Sequence, residues 1–378
     1  MTQQSDLQAL AHEIGPDFAE GAGERDINAA FVTDNYAVLR ERKLFSAMVP
    51  TALGGGGVGY GEMCGFIRAL AGYCGSTALT LSMHQHLVAA PIDNHSRGNS
   101  GQALLEKVVG GELILVSTGA NDWMESSDQM ERTKGGYLVT ARKAFSSGSP
   151  IGNVAITTAP YEDPEAGWQV LHFPVPLAAD GVSLAGDWDA MGMRASGSES
   201  IIMERVFVPE EAVALRRPRG IYHPAYNVVL GVAMPLVISA YLGIAKAVFA
   251  LAKGQAEQKA HDPLVQIALG QLTNHLTTAQ LAVDEWRFET SNAFIDGIFV
   301  RKTIAAKAVL AVGEAALEIC GGRGFHRKFG LERLLRDLHA GQFHPLPERR
   351  QHLFTGRIAL GLEPIEASQE AHYSQAAE

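Results

Sequence analysis

The sequence contains a long segment without charged residues, and this segment limits what the chain can fold into. No Asp, Glu, Lys or Arg occurs from Gly220 to Ala245, so the segment must be buried, either in a membrane or in a protein core. It contains Pro235 and Ser239, continues into an amphipathic stretch, and has no second segment of its kind in the sequence. We therefore predict a helix buried inside a bundle, in a protein that does not span a membrane.

The hydrophobic pattern changes twice along the 378 residues. Apolar residues recur at helical spacing up to about residue 110, short runs rich in β-branched and aromatic residues follow, and helical spacing returns from about residue 222. Long blocks in the order helix, strand, helix predict an α+β fold rather than alternating βαβ units. We expect an N-terminal helical domain at 1–111, a central β domain at 112–213 and a C-terminal helical bundle domain at 214–378.

The composition argues against several classes of function. A net charge of −10 provides no basic surface for nucleic acid or for an anionic membrane. The three cysteines, Cys64, Cys74 and Cys320, form no C-x-x-C pair, so neither a disulfide framework nor a zinc ribbon is indicated. The N-terminal residues are typical of an ordinary helix and not of a signal peptide. We expect a cytoplasmic protein that binds small molecules and has no metal site.

Local motifs do not define a site by themselves. His84 and His86 point to different sides of a helix, and no nearby carboxylate or cysteine completes a metal shell. Ser146 and Ser147 fit turn hydroxyls at the end of a strand. The glycine-rich run at 321–325 follows a helix instead of a strand, which is not the arrangement of a dinucleotide-binding fingerprint. The assignment therefore depends on the order of motifs along the whole chain.

Three motifs in that order are the most specific: the Lys-x-Phe-x-Ser-Gly run at 143–148, the Gly-Met-Arg-x-Ser run leading to Val-Phe-Val-Pro at 192–209, and the Gly-Gly-x-Gly-Phe run at 321–325. With this order of motifs, nearly the whole chain closely resembles the acyl-CoA dehydrogenase superfamily of flavoproteins. The resemblance implies an N-terminal helical domain, a central β-barrel-like domain and a C-terminal helical bundle. It also implies a flavin between the last two domains and a homotetramer.

The resemblance also implies which residues contact the flavin. A flavin ring needs hydrogen-bond partners at N5 and at its carbonyls, together with an apolar surface. By position, Thr118 lies over the ring, and Phe145, Ser146 and Ser147 lie at its edge. Gly321 and Gly322 would let the backbone approach the cofactor from a neighbouring subunit.

The chain departs from a dehydrogenase at the catalytic base. A dehydrogenase of this superfamily removes an α-proton with a carboxylate while a hydride passes to the flavin. Pro345 stands at one position of the family's glutamate, and no Asp or Glu lies between Glu211 and Glu257, where the other position falls. Glu348 and Asp337 are nearby carboxylates, but they lie outside the matched positions. The sequence therefore lacks the expected base.

The superfamily also contains flavin-dependent monooxygenases, which take reduced flavin from a partner reductase and use histidine and serine where dehydrogenases use glutamate. The chain is similar to these: His344 is at the position of their C-terminal catalytic histidine, and Ser147 matches their flavin-edge serine. His84 is on a helix that can line the same pocket. A histidine can deprotonate a substrate or hold a reacting oxygen. We expect His344, Ser147 and His84 to be catalytic.

The identity of the flavin and the reaction stay open at this stage. The stretch 256–263 lacks the arginine that grips the FAD pyrophosphate in many dehydrogenases, and Glu318 replaces a frequent glutamine, so the cofactor is FAD or FMN. The leading prediction is monooxygenase-like chemistry on a small, largely apolar substrate, with a separate flavin reductase or electron-transfer partner. The alternatives are an acyl-CoA dehydrogenase acting on the CH–CH group of a thioester, and a non-catalytic scaffold.

Overall fold

The first part of the chain is helical. The computed structural model describes residues 3–118, 125–284 and 292–365. The helices before the first strand are α1 (Gln3–Glu20), α2 (Ala22–Asn28), α3 (Thr33–Glu41), α4 (Tyr60–Ala71), α5 (Gly75–Ser96) and α6 (Gln102–Gly111). Their apolar faces share one core with the later helices, in which Tyr36, Phe45 and Phe66 are fully buried.

The strands follow in one block. They are β1 (Leu115–Ser117), β2 (Gln129–Thr133), β3 (Gly136–Lys143), β4 (Val154–Asp163), β5 (Gly167–Pro176), β6 (Val182–Leu184), β7 (Ile201–Pro209) and β8 (Leu215–Pro218). They form two sheets with the strand orders β1-β4-β5-β8 and β2-β3-β7-β6. The pair β1–β4 is parallel and the other described pairs are antiparallel. Residues of both sheets, such as Tyr137, Phe173 and Met203, share a second apolar core.

The last part of the chain is again helical. Its helices are α7 (Ala225–Ala256), α8 (Pro263–Asp284), α9 (Asn292–Phe325), α10 (Leu331–His339) and α11 (Glu348–Ala359). This order of elements confirms the predicted α+β fold, because strands and helices are segregated into blocks. The last strand extends to Pro218, past the predicted end of the β domain at residue 213.

The uncharged segment forms most of α7, at the centre of the helical core. Every residue from Leu230 to Ala245 is buried, and α7 packs against α4, α5, α8, α9 and α10. Within the described chain, α7 is the one helix whose length and composition would suit a membrane span, but it is largely enclosed by protein. The predicted buried bundle helix is therefore observed. Its Tyr241 hydroxyl is buried within the bundle and needs a polar partner there.

Two of the sequence motifs pack against each other where the three blocks meet. The Met193 N–H donates to Asp337 Oδ1 at 2.5 Å, and the Arg336 guanidinium is bonded to Asp26 Oδ2 at 2.6 Å. A Cβ on Gly192 would lie 2.3 Å from the Arg336 carbonyl oxygen, so only glycine allows this approach. The junction thereby joins α2, the β6–β7 connection and α10.

Candidate functional site

His344 lies between α10 and α11 and contacts α7. Its Nε2 is 2.7 Å from the Tyr241 hydroxyl, and the two rings are tilted with their centroids 5.4 Å apart. Burial raises the pKa of Tyr241 well above its usual value, so the phenol keeps its proton. We assign the Tyr241 O–H as the donor and Nε2 as the acceptor, which places the proton of the neutral imidazole on Nδ1.

The imidazole of His344 is neutral over the physiological pH range. Burial lowers its pKa to about 3, and the nearby Lys302 and, less strongly, His86 act in the same direction. Among the described residues, no carboxylate contributes to this shift. His344 is therefore a polar, uncharged group. It directly precedes Pro345, the position at which the resemblance to dehydrogenases predicts a glutamate.

His86, on α5, acts on the same site, although the sequence did not single it out. It is buried, and its Nδ1 lies 3.4 Å from the Ser82 carbonyl oxygen one turn earlier in the helix. Burial lowers the pKa of His86 to about 4, so it too is neutral at pH 7. The sequence contained an indication of this arrangement. Residues two apart on a helix face different sides, so His84 and His86 could not both face His344.

The structure places His84 in the scaffold. Its Nδ1 accepts the Leu115 N–H at 3.0 Å, so its Nε2 carries the proton and donates to the Phe45 carbonyl at 2.9 Å. Burial lowers its pKa to about 4. Both ring nitrogens are therefore bonded to backbone groups, and neither is available to a substrate. His84 connects the N-terminal helices to β1, the strand that leads directly to Thr118.

The hydroxyls of Ser146 and Ser147 have different surroundings. The buried Ser146 hydroxyl donates to the Lys143 carbonyl at 2.9 Å, within its own turn. Ser147 is only partly buried, and its Oγ is 2.7 Å from Ser198 Oγ, which is in turn 2.7 Å from Ser196 Oγ. Ser147 thus ends a chain of hydroxyls at the protein surface, where it can bond to a ligand.

Phe145 combines an unusual backbone conformation with an exposed ring. Its φ is 57°, which is rare for a bulky residue, and 53% of its surface is exposed. Its ring lies edge-on to Trp188 at 6.1 Å, and the Trp188 indole N–H donates to the Met193 carbonyl at 3.2 Å. An exposed aromatic ring, packed against a partly buried one and beside a surface hydroxyl, fits a flat, polar-edged ring such as a flavin.

Thr118 directly follows β1 and is buried. Its Oγ1 donates to the Ile156 carbonyl on the neighbouring strand β4 at 3.1 Å, which fixes the orientation of the hydroxyl. The oxygen keeps lone pairs that can accept a hydrogen bond. This geometry is compatible with the flavin contact that the resemblance implies.

Gly321 and Gly322 lie in an open groove on the surface of the bundle. The φ of Gly321 is 54°, which interrupts α9, and a Cβ on either glycine would meet no atom within 4 Å. The groove is lined by Glu314, Leu317, Glu318, Gly321, Gly322 and Phe325. Phe325 is 80% exposed. No described part of the chain therefore packs against this side of the two glycines.

The carboxylates considered for a dehydrogenase are engaged elsewhere. Glu348 accepts a hydrogen bond from Lys307 Nζ at 2.7 Å, and this bond lowers its pKa. Asp337 is bonded to the backbone of Met193, and burial raises its pKa to about 6. Across 3–118, 125–284 and 292–365, no cluster of His, Cys, Asp and Glu could hold a metal ion.

Family comparisons agree with the fold and with the motif order. A family model described as acyl-CoA dehydrogenase, N-terminal domain, matches residues 2–112, and one described as acyl-CoA dehydrogenase, C-terminal domain, matches residues 230–344. Together they cover more than half of the chain. The protein therefore belongs to the acyl-CoA dehydrogenase superfamily, as the motifs predicted.

Its relatives within the superfamily include proteins named as monooxygenases and proteins named as acyl-CoA dehydrogenases. The chain is 25% identical over 370 residues to the probable FMNH2-dependent monooxygenase SfnC of Pseudomonas putida, covering 91% of this chain and 92% of SfnC. It is 24% identical over 367 residues to the putative acyl-CoA dehydrogenase YdbM of Bacillus subtilis (strain 168), covering 91% and 93%. The structure of KijD3 in complex with FMN and dTDP-3-amino-2,3,6-trideoxy-4-keto-3-methyl-D-glucose matches with a TM-score of 0.82 and 23% identity, covering 96% and 95%.

Proposed function

We propose that the protein is a flavin-dependent monooxygenase that acts on a small, largely apolar substrate with reduced flavin and O2. The observation that carries this proposal is the neutral imidazole of His344, which directly precedes Pro345, where the resemblance to dehydrogenases predicts a glutamate. Among the described residues, the charged group that acts on it is the cationic ammonium of Lys302. α-Proton removal from a thioester needs a basic group near the reacting carbon, and the candidate carboxylates Glu348 and Asp337 have other partners.

In this proposal His344 acts as a hydrogen-bond donor. A ring with a pKa of about 3 is a weak base at neutral pH, and its Nε2 is occupied by the Tyr241 hydroxyl. The remaining nitrogen, Nδ1, would hold a substrate atom or a reacting oxygen through its N–H. Reduced flavin, when bound, would supply two electrons, so that one atom of O2 enters the substrate and the other leaves as water.

We propose FMN as the flavin, delivered in reduced form by a separate reductase. The name of SfnC specifies FMNH2, and the KijD3 structure contains FMN. The stretch 256–263 has no arginine for the second phosphate of FAD. Thr118, Phe145 and Ser147 would hold the isoalloxazine ring, while Ser146 would shape the turn.

We propose that further copies of the chain cover the groove at Gly321 and Gly322, as in a homotetramer. Phe325 and Leu317 make this groove apolar, and no described part of the chain covers it. A large exposed aromatic side chain beside two glycines is typical of a surface used for association. The size of the purified protein in solution, compared with that of a Phe325→Ser variant, would test this assembly.

We also propose that the protein works in the cytoplasm. Cys64, Cys74 and Cys320 are all free and buried, as expected for a protein of a reducing compartment. The longest apolar helix is enclosed by the fold.

One experiment separates the monooxygenase from the dehydrogenase, which the similarity to YdbM keeps as the second candidate. The purified protein with reduced FMN and ¹⁸O2 should insert one ¹⁸O atom into a member of a panel of phenols, thioethers and amines. In a parallel anaerobic test, acyl-CoA thioesters should not bleach the bound oxidised flavin. Bleaching without ¹⁸O incorporation would support the dehydrogenase, and a protein that binds neither FMN nor FAD would support a non-catalytic scaffold.

A further inference from the structure

Lys302 is a buried lysine on α9 that reaches the segment carrying His344. Its side chain is 1% exposed. The ammonium donates to the carbonyl oxygens of Gln342 and of Leu346, each at 3.0 Å. These residues lie two positions before and two positions after His344, so one ammonium fixes both sides of the histidine.

The ammonium of Lys302 is buried without a close carboxylate. Among the described residues, its hydrogen-bond acceptors are the two backbone carbonyls. Burial lowers its pKa to about 8, and the more distant Glu348 opposes this shift. Burying a charged group without a counter-ion is unfavourable, and an apolar side chain of similar length would avoid this penalty. The ammonium therefore acts through its hydrogen bonds and its charge.

The groups that face the His344 imidazole come from three packed helices. Tyr241 approaches from α7, His86 from α5 and Lys302 from α9. Glu348, the first residue of α11, is paired with Lys307 instead. Protonation of His344 would therefore place a positive charge near that of Lys302, without a facing carboxylate from the described chain to offset it.

We propose that Lys302 is a positioning residue, which fixes the His344 imidazole against the Tyr241 hydroxyl through the backbone on both sides of it and adds its charge to the burial that favours the neutral ring. The inference rests on the proposed role of His344 in catalysis. Lys302 would act through the backbone around His344 and through its charge, without touching substrate or flavin.

The test is an NMR titration of the histidine rings in the full-length protein, with the His344 signal assigned by its loss in His344→Gln. In Lys302→Met, the proton affinity of His344 should rise about tenfold or more, because the nearby positive charge is gone. The matched control is Lys307→Met, which removes an exposed lysine from the same helix and should leave the His344 titration unchanged. An unchanged titration in Lys302→Met would overturn the proposal.

A second measurement needs no variant, in case Lys302→Met does not fold. In the unaltered protein, the ¹³Cε signal of Lys302 should titrate near pH 8, and the His344 ring signal should shift over the same pH range. Titration near the usual lysine value of about 10.4, with a constant His344 signal, would contradict the proposal. Neither titration requires turnover, so a failure of the monooxygenase proposal is recorded separately, by the absence of ¹⁸O incorporation.

Discussion

At the scale of single residues, the proposed chemistry depends on which histidine meets the substrate. We predict that His344→Ala lowers turnover at least about 100-fold, because no other described group can replace the Nδ1–H at that position. Flavin affinity should stay unchanged. The matched control is His339→Ala, which removes an exposed histidine five positions earlier in the chain. Product formation per flavin oxidised measures the effect, and equal losses in both variants would contradict the assignment.

The adjacent serines allow a second matched comparison. Ser147→Ala should weaken FMN binding about tenfold, since one hydrogen bond to a ligand is worth roughly 1.5 kcal/mol. Ser146→Ala removes a hydroxyl that donates to its own turn, and it should lower stability with little effect on FMN affinity. Fluorescence titration of FMN measures both. A larger loss of FMN affinity in Ser146→Ala than in Ser147→Ala would reverse our assignment.

The sequence predicted part of this site but not the groups that set its chemistry. His344 and Ser147 were proposed as site residues because their motifs stand at fixed places in the family order. Tyr241, His86 and Lys302 come from three helices far apart in the sequence, and only the packing of those helices brings them to His344. His84 was selected because the resemblance places its helix beside the pocket, but its burial and its two backbone bonds depend on the fold.

At the scale of elements, periodicity predicted the blocks well because burial of one face fixes the hydrophobic pattern. The uncharged segment predicted α7 for a related reason: all of its faces are buried from Leu230 to Ala245, so none of them carries a charge. The last strand, β8, lies beyond residue 213, the end that we expected for the β domain, and it has two arginines among its four residues. Arg217 is nevertheless buried in the sheet, which no hydrophobic pattern signals.

The junction of the Gly-Met-Arg run with α10 gives a prediction at this scale. Gly192→Ala would place a Cβ 2.3 Å from the Arg336 carbonyl oxygen, so the two elements must separate. We expect a loss of about 1–3 kcal/mol in the free energy of unfolding, measured by denaturant titration. The control is Gly254→Ala on α7, where a Cβ meets nothing within 4 Å. Equal stability of Gly192→Ala and the parent protein would contradict the close approach of these two elements.

At the scale of the whole molecule, several buried histidines are neutral in the folded protein. Burial lowers the pKa of His84 and His86 to about 4 and those of His172 and His344 to about 3. In the unfolded chain each ring binds a proton below about pH 6.5. Each therefore contributes stability that is present above pH 6.5 and is lost as the pH falls toward its folded value.

Asp337 acts in the opposite direction. Its folded pKa is raised to about 6, so its contribution to stability is full below about pH 3.9 and is lost as the pH rises through 6. Combining the four histidines with Asp337, we predict that unfolding near pH 5 takes up about three protons. The decline of the melting temperature from pH 7 to pH 5 measures this proton uptake. A melting temperature that is constant over this range would contradict the burial of these rings.

The most direct test of the central claim is rapid mixing of the protein, loaded with FMN and reduced anaerobically, with oxygenated buffer. We predict a transient absorbance that differs from both reduced and oxidised flavin, and that decays faster when an oxidisable substrate is present. In His344→Ala this transient should be short-lived or absent. A single slow conversion of reduced to oxidised flavin, the same in the parent protein and in His344→Ala, would contradict the claim.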